Sequence, residues 1–143
     1  MARHEILKLL NEDLKNERMH LQFYLYHASA VTGLHAAEYR EFLTDAAKGE
    51  LEHVQQFQDR IWGLGGEPTL DSNAFPTFTF VEHILAHAHK IEQQVVANYA
   101  TRIAQVQAWG EPESNYLSIF YEDQLQDSYE DAERMRRILA GLG

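Results

Sequence analysis

Glu17, Glu50 and Glu92 each stand seven residues after a leucine and seven before an aromatic, in the triples Leu10/Glu17/Tyr24, Leu43/Glu50/Phe57 and Leu85/Glu92/Tyr99. Seven residues are close to two helical turns, so each glutamate points the same way as its leucine and its aromatic, into whatever core that face builds. A carboxylate placed there loses its hydration and needs a cation or hydrogen bonds in exchange. Neither Lys nor Arg occupies these stripes. Three facing carboxylates therefore predict a bound metal ion, and without one they are expected to repel each other and raise at least one of their pKa values.

His53 follows Glu50 by three residues, in Glu50-Leu51-Glu52-His53. At that spacing a carboxylate and an imidazole project from adjacent turns of one face and can reach one ion, and a central carboxylate has two oxygens with which to bridge two ions. Oxygen-rich donors with a single imidazole suit Fe2+, Mn2+ or Zn2+, and hard carboxylates favour the Fe3+ that oxidation produces. A lone Glu-x-x-His is common by chance on solvated helix faces, where these glutamates would be rim residues reaching water. The identical framing in three segments weighs against that reading. The remaining histidines have blander expectations. His20, three residues after Glu17, is assigned an outer, hydrogen-bonded role. His83 and His87 form an i, i+4 pair expected at the solvated surface or an interface, and His89 is a candidate supporting partner near the core edge.

Apolar periodicity of the helical kind runs through residues 3–32, 36–64, 79–109 and 114–141, and no segment reads as a strand. Thr32-Gly33-Leu34 is too short for anything but an antiparallel hairpin turn, and Trp109-Gly110-Glu111-Pro112-Glu113 stops one helix and starts the next. Between them Gly65 to Thr79 is rich in Gly, Pro and turn formers. A helix of about 28 residues is ~42 Å long, and some 15 extended residues span ~50 Å. The connector can thus run the length of a bundle, giving two antiparallel helical hairpins joined by one long crossover.

At 143 residues the chain reads as one domain, with 45% hydrophobic and 24% charged residues excluding disorder. It has no cysteine, which removes disulfides, thiolate catalysis and Cys-bound clusters. The net charge of −10 argues against nucleic acid as a partner while favouring the approach of cations. No long apolar run predicts a membrane segment, and MARHEILKLL enters an amphipathic pattern at once, so a cytoplasmic location is expected.

With these residues the chain resembles the ferritin and bacterioferritin family over nearly its whole length, most closely in NERMHLQFYLYHA, GELEHVQQFQDRI and VEHILAHAHKIE. The resemblance implies an all-α, ferritin-like four-helix bundle with an iron centre inside it, dinuclear, held by Glu17, a bridging Glu50, His53 and Glu92. It implies Glu17, Glu50, His53 and Tyr24 as the catalytic residues, Tyr24 matching the tyrosine close to the family's diiron centre. Bacterioferritins carry a second Glu-x-x-His on the fourth helix, where this chain reads IFYEDQLQDSYEDAERM. Its stripe of Leu117, Tyr121, Gln124, Ser128, Asp131, Met135 and Ile138 puts Ser128-x-x-Asp131 at the ligand position and makes Asp131 the candidate ligand. A slipped register offers Gln124 and Asp127 instead. The second ion is expected to be held less fully than the first. Leu51 stands where haem-binding members have a methionine, so haem is not expected. The function implied is oxidation of Fe2+ by O2 or peroxide for iron storage or detoxification, in a homo-oligomer that is a simple dimer, a shell of about 12 subunits or one of about 24. The competing assignments are a rubrerythrin-like diiron peroxidase, weakened by the lack of cysteine for a rubredoxin site, and a non-enzymatic metal-binding subunit.

Overall fold

A computed structural model describes residues 1–142, and among them every regular element is an α-helix: α1 (Arg3–Ala30), α2 (Ala36–Gly63), α3 (Val81–Trp109) and α4 (Ser114–Leu142). The helix ends fall within a turn of the expected ones. Two compact units divide the chain, one spanning Ala2–Val81 and the other beginning at Glu82.

In the first unit the Ala2 backbone N–H donates to Glu5 Oε1 at 3.2 Å, satisfying an exposed donor at the start of α1. The helix stops where Val31 turns extended and donates to His27 O at 3.1 Å. Gly33, at φ 104°, then takes the left-handed conformation that reverses the chain. α2 returns antiparallel along α1. It ends in a Schellman motif, with Gly66 N–H donating to Ile61 O at 2.9 Å and Gly65 N–H to Trp62 O at 3.0 Å, and Gly65 at φ 83°.

The connector that follows is hydrogen-bonded to α1 along almost its whole length. Arg3 donates to Leu64 O at 3.3 Å, and Asn11 both donates to Glu67 O at 3.2 Å and accepts from Thr69 N–H at 2.7 Å. Arg18 reaches the carbonyls of Thr69 and Asp71, Asn73 meets Lys15 O and the Asn16 side chain, and Phe78 N–H donates to His27 Nε2 at 3.1 Å. Partners on α1 advance in step with residues of the connector, so it carries the chain back from the N-terminal to the C-terminal end of α1. That is the crossover the segment's length predicts, and the side chains of α1 satisfy backbone groups that a strand or helix would otherwise pair.

In the second unit Gly110, at φ 72°, closes α3. Ser114 starts α4, its hydroxyl accepting from Glu111 N–H at 3.1 Å while its own N–H donates to Glu111 O at 2.9 Å. Tyr99 of α3 meets Tyr121 of α4 edge to face, ring centroids 5.2 Å apart, a favoured aromatic geometry. No helix among the described residues is long and apolar enough to cross a membrane.

Candidate metal centre

The heptad framing is realised in full: Leu10, Tyr24, Leu43, Phe57, Leu85 and Tyr99 are buried, and with them Glu17, Glu50 and Glu92, whose exposures are 1%, 2% and 1%. The rim assignment for the three glutamates therefore fails. In the first unit α1 and α2 bring Glu17, Glu50 and His53 together, with one ligand atom from each lying within 4.8 Å of the others. His53 Nδ1 is 3.3 Å from Glu50 Oε2 and 3.5 Å from Glu17 Oε2.

Those separations suit an ion. Two donor atoms each about 2.1 Å from one metal lie about 3.0 Å apart at a right angle and at most about 4.2 Å apart when opposite. Two buried carboxylates and an imidazole also form the mixed O/N donor set that first-row divalent ions accept, so the residues present fit iron on both geometry and chemistry.

The metal-free Glu17 carboxyl runs against mutual carboxylate repulsion, its pKa being lowered and not raised. Burial pushes the Glu17 carboxyl up, but its contacts with Glu50 and His53 and the positive charge of His53 and His20 outweigh that, leaving its pKa below the usual carboxylate value. For His53, burial pushes the imidazole down, yet contact with Glu17 and Glu50 and their negative charge take it up to about 12. His53 is thus an imidazolium that neutralises the carboxylates in the absence of metal. A search for Lys or Arg on the stripes misses this counter-charge because histidine is formally neutral at pH 7.

The other sequence-derived candidates are placed as follows. Tyr24 is fully buried on the Glu17 face of α1, its ring edge-on to Phe23 at 5.7 Å. Glu92 is buried on α3. On α4, Gln124 and Ser128 fill the core stripe, whereas Asp131 is partly exposed with its carboxylate 3.8 Å from Arg134, and Asp127 is exposed. Neither acid of the two candidate registers is a core residue. His83 is exposed and His87 half-buried, and His89 lines an open surface groove with Gln93, Tyr129 and Arg136.

Two buried histidines carry more than the sequence reading gave them. His20, 3% exposed, has Nδ1 4.0 Å from Glu17 Oε2. His27, with no exposure, sits among Phe23, Tyr26, Phe75 and Phe78. The signal was available: His20, Tyr24 and His27 follow Glu17 at +3, +7 and +10, the spacing of one helical face.

The family model for the ferritin-like domain matches residues 7–142. No curated protein sequence matches significantly. Among solved structures, a ferritin-like, diiron-carboxylate protein from Bacillus anthracis str. Ames is similar with 25% identity and a TM-score of 0.89, the match covering 97% of this chain and 99% of that one. The dodecameric thioferritin of Bacteroides fragilis, a bacterioferritin-related protein, aligns at 19% identity and a TM-score of 0.86 over 99% of this chain and 88% of its own. The diiron bacterioferritin of Desulfovibrio desulfuricans aligns at 18% identity and a TM-score of 0.88 over 96% and 80%. These likenesses identify the fold as the ferritin-like four-helix bundle, two antiparallel hairpins joined by a long crossover.

Proposed function

The chain belongs to the ferritin-like domain family, and from that premise we propose that it takes up Fe2+ at Glu17, Glu50 and His53 and oxidises it, contributing to iron storage or detoxification in the cytoplasm. The observation that carries the reading is the buried trio itself, two carboxylates and an imidazole with donor atoms within 4.8 Å. Such a group costs stability in an apolar core unless its charges are offset, and the 3.3 and 3.5 Å separations about His53 Nδ1 fall within the range for donors on one ion.

Iron here is the substrate. Two ferrous ions give up two electrons, which with two protons reduce dioxygen to hydrogen peroxide, or hydrogen peroxide to two waters. Buried carboxylates favour the ferric product because hard anionic oxygens stabilise the higher charge. In this scheme Glu50 bridges, His53 fixes one ion by its ring nitrogen, and Glu17 supplies the facing carboxylate. Tyr24, one heptad beyond Glu17 on the same buried face, is proposed as a catalytic phenol. The B. fragilis thioferritin is dodecameric, and a homo-oligomer is the proposed assembly here.

The test is aerobic mixing of Fe2+ with metal-free protein. The reading expects oxidation faster than in buffer, ferric iron retained by the protein, and loss of both in Glu50→Ala/His53→Ala protein. Peroxide consumption with little retained iron would point to a peroxidase, and binding without oxidation to a carrier. Unchanged binding and rate in the double variant would refute the site.

A further inference from the structure

The first hairpin contains two Glu-x-x-His pairs, Glu17/His20 on α1 and Glu50/His53 on α2, and all four residues are buried. Glu17 Oε2 lies between the imidazoles, 3.5 Å from His53 Nδ1 and 4.0 Å from His20 Nδ1. We infer that His20 is a metal ligand, holding with a shared Glu17 a second ion beside the one held at Glu17, Glu50 and His53, so that one hairpin supplies two imidazoles and two carboxylates.

Two observations lead there. The 4.0 Å between His20 Nδ1 and Glu17 Oε2 is too long for a hydrogen bond but falls within the separation of two donors on a single ion. His20 stands outside the group whose donor atoms all lie within 4.8 Å of one another, so it does not crowd the first ion. It extends the donor set on the Glu17 side, where that carboxylate can share its oxygens between neighbours.

The inference rests on the metal-binding reading above, and the experiment separates their failures. Zn2+ serves as a diamagnetic probe of the same O/N donors, with histidine ring nitrogens followed by long-range 1H–15N correlation as Zn2+ is added and stoichiometry measured by calorimetry. The expected result is two ions per chain, with ring nitrogens of both His53 and His20 moving to the metal-bound position. His20→Ala should retain one ion and weaken the other about a hundredfold. His20→Gln tests for a positioning role, because glutamine retains hydrogen bonding without an imidazole. Recovery of both ions and their affinities in His20→Gln would reassign His20 as a positioning residue and overturn the ligand inference. A shift at His53 with none at His20 would also overturn it while leaving the first site intact. If neither ring responds to Zn2+, the metal-binding reading falls, and this inference with it.

Discussion

His53 on α2 and Glu17 on α1 face each other across the first hairpin with Nδ1 and Oε2 3.5 Å apart, an ion pair in which the imidazolium occupies the electrostatic role of a cation. Glu50 contacts the same nitrogen at 3.3 Å. The raised His53 pKa favours a proton on that ring in the metal-free site, and a metal bound through Nδ1 would have to displace it.

His53→Ala should for this reason destabilise the metal-free protein, because it leaves two buried carboxylates without their cation. The expected loss is about 3 kcal/mol or more, measured by urea unfolding at pH 7 with chelator present. Adding Glu17→Gln to His53→Ala removes one stranded charge and should recover a large part of that loss. A loss below about 1 kcal/mol for His53→Ala would mean that water or other groups neutralise the carboxylates.

The sequence made the helices and their buried faces legible because a repeat of seven residues encodes which side chains share a face. It named Glu17, Glu50 and His53 through that periodicity and the i, i+3 spacing. The crossover was legible only as a length. Its clasp by Asn11, Arg18 and His27 joins residues about fifty positions apart through side-chain to backbone bonds, which follow no period. The charge on His53 was hidden for a related reason: it depends on two carboxylates brought to one nitrogen by the fold. On α4 periodicity correctly put Gln124 and Ser128 in the core, but it could not foresee that Arg134 would hold Asp131 toward the edge.

His27 makes part of the crossover clasp sensitive to pH. Its Nδ1–H donates to Phe23 O at 2.8 Å, and its Nε2 accepts from Phe78 N–H at 3.1 Å, an arrangement that requires the neutral ring. Burial pushes its pKa below the ordinary 6.5, the bond to Phe23 opposing this only in part. Below 6.5 the unfolded chain therefore binds more protons than the folded one, and stability is lost as pH falls from there toward the folded value. Hydrogen exchange at the Phe78 amide should lose protection as pH drops below 6.5. The Thr69 and Asn73 amides, held by Asn11 and by Lys15 O, should lose none over the same range. Parallel loss at all three amides would show general loosening in place of a histidine clasp.

The end of α2 offers a backbone prediction. Gly65 sits at φ 83°, where a Cβ costs about 1–2 kcal/mol, so Gly65→Ala should lower the unfolding free energy by that amount. Gly66 fails differently: a Cβ there would come 2.7 Å from Leu7 Cδ2, the far end of a flexible side chain. Gly66→Ala should cost less whenever Leu7 can turn aside, and Gly66→Ala/Leu7→Ala should relieve the clash with Leu7, leaving the tight 3.3 Å approach to Ile61 Cγ2. Equal losses for Gly65→Ala and Gly66→Ala in the wild-type background, unrelieved by Leu7→Ala, would remove the distinction between strain and contact.

Metal should stabilise the fold by linkage, since the trio that binds it exists only when α1 and α2 are paired. A divalent ion binding the folded state alone adds about 2.7 kcal/mol at a free concentration of 100 times Kd, enough to raise the melting temperature by several degrees. Glu50→Ala should abolish most of this gain. Thermal melts with and without Fe2+ under anaerobic conditions read both. If metal leaves the wild-type melting temperature unchanged, the buried carboxylates and His53 form a structural ion-pair cluster, and the iron reading is lost.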